Sequence, residues 1–270
     1  MIHTARAFEG YSINARDGAL GSVKDIYFGD ENWIVRHFVV ETGSWLNGRR
    51  VLLAAARLTP DPGTQRLNIE ATREQVRNSP PMETDRPVSR QREQEIYDHY
   101  GWPYYWGVAP LAGGGIAAGA MMAGPLGVGL AAAQREVDDV RTSTIEADRR
   151  PPGDPHLRSV REVRGYRISA RDGELGHVED LLIDTGTWEI RALVVDTRNW
   201  LPGRNVLVPP MAVEAVRWQK SDVVVDLLRD EIKNGPAFER HEVTADYTDR
   251  LGHYYSSLRS SRARGAEPRS

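Results

Sequence analysis

The 270-residue sequence has no cysteine, and only three lysines against 32 arginines. Without cysteine there is no disulfide staple, no thiolate-bound zinc or iron–sulfur centre and no thiol nucleophile. The formal net charge is −3. A chain so balanced lacks the clustered cations that neutralise a phosphate backbone, so nucleic acid is not an expected partner. A composition bias accounts for the arginines more simply than a phosphate site does. None of the seven histidines falls at a metal-ligand spacing, so no metal or other cofactor is expected. No dinucleotide fingerprint or nucleophile elbow is present, and Gly113-Gly114-Gly115 lacks the Lys-Ser/Thr of a phosphate loop. A non-enzymatic role follows as the expectation. Met1 to Tyr11 lacks the basic start and apolar run of a secretory leader, which makes the cytoplasm the default compartment.

What the sequence does contain is itself, twice. Residues 11–53 align without a gap on residues 166–208, an offset of 155, with 21 identities in 43 positions. After one inserted residue the match runs on through Asn78-Ser79-Pro80 and Asn234-Gly235-Pro236. Each copy alternates polar and β-branched residues between closely spaced turn signals, the pattern of a small barrel of five or six short strands. Asp17-Gly18 and Asp172-Gly173 mark tight hairpin turns, and Gly21 and Gly176 a bulge or second strained position. The longest strand is expected over Trp33 to Glu41 and Trp188 to Asp196. Both of its faces are apolar, with Phe38 and Val40 opposing Val35 and Val39, and Leu193 and Val195 opposing Ile190, Ala192 and Val194. One face fills the barrel. The other requires a cover, supplied by the other copy, a flanking helix or a second chain.

The expected organisation is a barrel over 1–84, a helix with an aromatic loop over 85–107, and a Gly/Ala-rich then polar linker of low order over 108–162. A second barrel over 163–240 and a helix with a frayed tail over 241–270 follow. Ser89 and Thr244 are the expected N-caps of the two helices, and Ser256 to Ser270 the frayed part. Gly101 to Gln134 carries no charge, and Val108 to Ala133 is long enough to span a bilayer. Gly and Ala dominate it and Pro110 and Pro125 interrupt it, so a loose linker is preferred over membrane contact or a packing helix.

The run Ala-Arg-Asp-Gly-x-x-Gly at Ala15 to Gly21, the strand Trp33 to Val40, Trp45 and Val51-Leu52 recur at Ala170 to Gly176, Trp188 to Val195, Trp200 and Val206-Leu207. This constellation, over about 150 residues, resembles the PRC-barrel family, named for the cytoplasmic domain of the photosynthetic reaction centre H subunit. A similar barrel ends a ribosome maturation factor. The resemblance implies a mainly β fold: two small six-stranded PRC-type β-barrels, each followed by a short helix, joined by a Gly/Ala-rich linker. It implies protein binding, with the barrels packed on each other, a homo-oligomer or an unidentified protein as partner. A membrane-associated regulator of electron transport, held through Val108 to Ala133, and a ribosome or RNA assembly factor are the alternatives.

The residues singled out as partner-binding or structural are Arg36, Val39, Glu41 and Trp45 in the first copy and Arg191, Val194, Asp196 and Trp200 in the second. The other charged pairs common to both copies are Arg16/Arg171, Asp17/Asp172, Asp25/Asp180 and Arg49/Arg204. Turn chemistry and ion pairing explain such positions more simply than a polar site.

Overall fold

A computed structural model of the chain describes residues 1–61, 63–80, 82, 90–105, 157–197, 205–217, 220–236, 238 and 244–265. Two compact units result, one from Met1–Pro87 with Pro155–Ser270 and one from Val88–Asp154. Val108 to Ala133, Ser89, Trp200 and Arg204, all singled out above, lie outside the described residues.

The first unit is mainly β. Strand β1 (Ile2–Thr4) is followed by β2 (Ser12–Ala15), β3 (Gly18–Gly29), β4 (Ile34–Thr42), β5 (Arg50–Ala54), β6 (Leu58–Asp61) and β7 (Arg66–Ile69). The series is repeated by β8 (Leu157–Ser159), β9 (Arg167–Ala170), β10 (Gly173–Asp184), β11 (Ile190–Asp196), β12 (Asn205–Val208), β13 (Val213–Arg217) and β14 (Asp222–Val225). The strand orders are β5-β4-β3-β2-β7-β6 and β12-β11-β10-β9-β14-β13. Pairing is antiparallel except for β2 with β7 and β9 with β14, which bring each chain end back beside its first hairpin and curl the sheet into a small barrel.

Local chemistry sets this geometry. Arg16-Asp17 and Arg171-Asp172 form the two-residue hairpin loops, and the following Gly18 and Gly173 both take φ of 141°. The register slips between Ile13↔Gly21 and Asn14↔Ala19, a bulge that turns Leu20 wholly into the core. Leu175 does the same in the second barrel. The bulge brings the neighbouring strand onto Gly21 and Gly176, where a Cβ would lie 2.0 Å from the Glu41 carbonyl oxygen and 1.9 Å from that of Asp196. Only glycine fits there.

Several features depart from the sequence expectation. The longest strands are β3 and β10 rather than β4 and β11, and Trp33 and Trp188 do not open β4 and β11; they sit before them in left-handed backbone, with φ of 55° and 59°. That conformation is uncommon for an aromatic residue. It is held by bonds to both sides: each Trp N–H donates within its own turn, to Gly29 and Asp184 at 2.8 and 2.7 Å. The Trp33 carbonyl accepts from Ile190 N–H and the Trp188 carbonyl from Val35 N–H, at 2.7 and 2.8 Å.

A further departure concerns residues 157–162, assigned above to the linker. They form β8 and the start of α3 (Val160–Val163), because the repeat extends further upstream than its identities do. β8 pairs with β3 of the first barrel, through Tyr27↔Ser159, Phe28↔Arg158 and Gly29↔Leu157. β1 pairs with β10 of the second, through Thr4↔Leu182, His3↔Ile183 and Ile2↔Asp184. Each residue pair in one contact is the 155-residue translate of a pair in the other. The two halves have exchanged their first strands.

Buried carboxylates fasten the exchanged arms. Asp25 accepts from Ser159 Oγ at 2.6 Å and Arg161 N–H at 3.1 Å, while its counterpart Asp180 accepts from Arg6 N–H at 3.2 Å. Both faces of β4 are buried: Phe38 and Val40 on one, His37 and Val39 on the other, and the irregularity at Arg36 moves Val35 from its expected face to that of Phe38. Trp188 covers part of this wall, its ring 5.2 Å from Phe38 and 6.0 Å from Phe8.

Three helices finish the unit. The helices α1 (Arg73–Arg77) and, following α2 of the second unit and α3, α4 (Arg229–Lys233) were not anticipated. Asp17 and Asp172 reach back to accept from the first N–H of each, at 2.8 and 2.9 Å. Helix α5 (Ala245–Gly265) is capped by Thr244 as expected, its hydroxyl accepting from Tyr247 N–H. It buries Tyr247, Leu251 and Tyr255 on one face, and the Tyr255 hydroxyl donates to the Leu207 carbonyl at 3.2 Å. It does not fray at Ser256 but runs to Gly265, so His253 lies mid-helix rather than at the end. The serines bond back to their own helix, Ser256 to His253 and Ser257 to Tyr254, instead of breaking it.

In the second unit, α2 (Arg90–Tyr100) ends at Gly101, whose φ of 65° turns the chain back. Trp102, Tyr104 and Tyr105 then gather on Tyr97, with ring centroids at 5.8, 6.2 and 5.9 Å.

Burial raises the Asp25 and Asp180 carboxyls above the ordinary range, despite the hydrogen bonds that favour the anion. A raised carboxyl binds protons more tightly folded than unfolded, so its share of stability is complete in acid and declines as pH climbs through the raised value. Asp25→Ala and Asp180→Ala, which strand the arm's donors, should each cost about 2 kcal/mol in urea unfolding at neutral pH. Asp25→Asn keeps an acceptor and removes the charge. It should cost less than Asp25→Ala, and its stability relative to wild type should improve from pH 4 to pH 7.

Candidate functional site

The residues common to both copies do not converge on one site. Val39 and Val194 are buried in the barrels. The Trp45 indole N–H donates to the Leu20 carbonyl at 2.6 Å, and the guanidinium of Arg73 lies 4.6 Å from its ring centroid. Glu41 pairs with Lys24 at 2.9 Å. Arg49 donates to the Arg77 carbonyl at 3.0 Å, holding α1 against the barrel. Arg36 is half-buried on β4, and Arg191 pairs with Asp184 and Glu189 at 3.3 and 3.1 Å. Of the described residues singled out as partner-binding or structural, Arg191 and Asp196 border open depressions of the first unit.

The first depression sits where the halves meet. The 155-residue relation defines a local two-fold axis, and the isolated bridge Ile34↔Glu189 lies on it because these positions are equivalent. So are Glu9 and Arg164, which form an ion pair across the axis at its other end. The cleft there, of about 720 Å³, is bordered by the equivalent pairs Arg6/Arg161, Gly10/Gly165 and Val23/Val178. Lys24 faces it from one half and Glu179 from the equivalent place in the other, where Glu179 accepts from Asn205 Nδ2 at 2.5 Å. His177 and Asp196 also border it and stand opposite each other in the β10–β11 ladder. Among the described residues lining the cleft no Ser, Thr or Cys accompanies this pair, so a nucleophile with its base is not assembled. Among the described residues no three His, Asp or Glu side chains converge to hold a metal ion.

The second depression is a groove of about 930 Å³ along α5. One wall is the face of α5 carrying Asp249, Gly252 and His253; the other is β13 with the turn Pro210–Ala212 before it. Its floor is apolar. Trp33 and Val216 are nearly buried there, whereas Met211 is 43% exposed. Two ion pairs close one end: Arg158 with Asp30 at 2.7 Å, both side chains buried, and Arg191 with Glu189. Sequence reasoning had no signal for this groove, because it draws on five separated segments.

Two further titratable groups are perturbed near the exchanged arm. Burial pushes the Tyr166 phenol up to about 12, helped by Glu162, which accepts its hydrogen bond at 2.9 Å. Burial also raises Glu162 itself. Both side chains brace α3 rather than open onto either depression. No described helix is long and apolar enough to cross a membrane.

Residues 155–232 match the family model of the PRC-barrel domain. The match begins just ahead of the exchanged strand β8 and ends within α4, so it takes in strands β8 to β14. No curated protein matches the chain.

The Glu9–Arg164 pair is the clearest test of the two-fold relation. Glu9→Arg puts like charges on the axis and should destabilise the chain by up to about 1 kcal/mol, since both partners are partly solvated. Adding Arg164→Glu should restore the wild-type urea midpoint, because the swap preserves the pair.

Proposed function

We propose that the chain is a non-enzymatic protein-interaction scaffold made of two tandem PRC barrels, with the N-terminal half a second copy of the domain matched at 155–232. Support for the second copy comes from strand order, the glycine at the bulge, the left-handed Trp and the Asp that caps the helix after the barrel, all at equivalent positions.

One observation carries the functional reading. Most of the described polar residues that both copies share are engaged in building the fold. Asp17 and Asp172 bond α1 and α4, and Asp25 and Asp180 bond the exchanged arms. Arg16 pairs with Glu70, and Arg171 with Asp226. A duplicated catalytic module would gather its shared polar groups in an open cavity; here the groove along α5 is lined chiefly by residues that differ between the copies, and among the described residues only the Arg6/Arg161 pair borders the cleft on the two-fold axis as a polar pair identical in both halves. Such surfaces suit recognition of another protein. In this reading Arg191 and Asp196 face the partner, while Arg36, Val39, Glu41, Trp45 and Val194 maintain the barrels.

Affinity purification of the full chain should recover a stoichiometric protein partner. The double variant Gly21→Val/Gly176→Val, whose side chains collide with the neighbouring strand, should lose it. Recovery of nothing above that variant's background, or turnover of a small substrate by the purified chain, would overturn the reading.

A further inference from the structure

We propose that the groove between α5 and β13 receives a basic, apolar-faced segment of the partner protein. The proposal rests on the scaffold reading and adds the chemistry of what is bound.

Charge supplies the first argument. Five carboxylates border the groove, from Asp30, Glu31, Glu189, Glu214 and Asp249, against the guanidiniums of Arg158 and Arg191. Each guanidinium is already paired with an acid of the same rim. Glu214 and Asp249 are exposed on opposite walls, and neither has a cationic partner among the described residues. Two facing acids over an apolar floor attract Lys or Arg flanking an apolar side chain.

The second argument is independent and comes from the repeat. Helices α2 and α5 stand at equivalent positions of the sequence repeat, with Ile96 and Tyr100 matching Leu251 and Tyr255. Between these matched pairs, Tyr97 of α2 corresponds to Gly252 of α5. Tyr97 is covered by the chain's own Trp102, Tyr104 and Tyr105, which fold back after α2. In the second copy α5 continues as a helix to Gly265, and a Cβ at Gly252 would meet nothing within 4 Å. The position filled by an aromatic ring in one copy is open in the other, beside the exposed Met211. An incoming aromatic or aliphatic side chain fits that space.

The test uses the full chain and two synthetic amphipathic peptides, one with Leu and Trp on one side and Lys on the other, its counterpart with Glu in place of every Lys. By calorimetry the Lys peptide should bind at least tenfold more tightly than the Glu peptide, and weaken as salt is raised. Gly252→Leu leaves the charge unaltered and adds a helix-favouring residue. It should lower affinity for the Lys peptide at least tenfold with Tm unchanged or higher. Glu214→Lys/Asp249→Lys should reverse the preference between peptides, and Arg6→Glu, in the cleft on the two-fold axis, should leave it intact. Equal binding of the two peptides, or full binding by Gly252→Leu, overturns the proposal. So does self-association of the chain that Gly252→Leu abolishes, which assigns the groove to a second copy. If these arms fail while affinity purification still recovers a partner, the groove assignment falls alone. If purification recovers nothing, the scaffold reading falls whatever the peptides do.

Discussion

The half-paired edge of two long strands governs the rest of this structure. β3 and β10 each run for 12 residues. On one side β4 and β11 follow them for most of their length, but on the other β2 pairs only as far as Ser22 and β9 as far as His177. Beyond those points each strand would present an open row of backbone N–H and C=O groups, a template for pairing with any chain. The arms β1 and β8 cover these rows, each supplied by the other half. The same contact brings an Asp under each arm, a left-handed Trp into hydrogen-bonding range of the opposite half, and Trp188 onto Phe38. Remove the exchange and the edge, the carboxylates and the strained backbone all lose their partners together.

A single unit of this kind, made as a separate chain, would have to satisfy the same edges by pairing with an identical copy. Joining two units in one chain lifts the requirement of identity. At Glu9 and Arg164 equivalent positions carry opposite charge and attract across the axis, where two copies of either residue would repel. Lys24 and Glu179 are opposite too, and each has found its own partner, Glu41 and Asn205. The halves have thus become complementary rather than interchangeable while the backbone hydrogen bonds between them stay symmetric.

Much of this fold was legible in the sequence, for reasons that are local. Asp-Gly turns, the bulge glycines and the alternation over Val35 to Val40 report short-range sterics and pleat, and these placed the strands of both barrels. The two-faced apolar strand also called for cover, and the structure buries both of its faces. What escaped was non-local or masked by composition. The arm Ile2–Thr4 is three residues long, and its counterpart Leu157–Ser159 shares no residue with it, so only the reach of the repeat past its last identity marked the pair. The left-handed Trp residues were invisible because nothing in a Trp side chain favours positive φ; the opposite half's hydrogen bonds hold them there. Trp45, singled out as partner-binding or structural, anchors its own turn, and only its bonding partner, a carbonyl 25 residues upstream, was not disclosed by the sequence.

The division of labour between shared and unshared residues then locates recognition. Polar groups present in both halves carry loads that both halves must bear: closing a hairpin, capping a short helix, holding an exchanged arm. A residue under such a load is not free to change its partner without loss of the barrel. Positions where the halves differ bear no common load, so their chemistry can follow a partner instead. The groove along α5 is built from such positions. Gly252 stands where the other half has Tyr97, Met211 is 43% exposed, and Glu214 and Asp249 line opposite walls without cations among the described residues. The symmetric framework fixes where the groove is, and the asymmetry within it determines what enters.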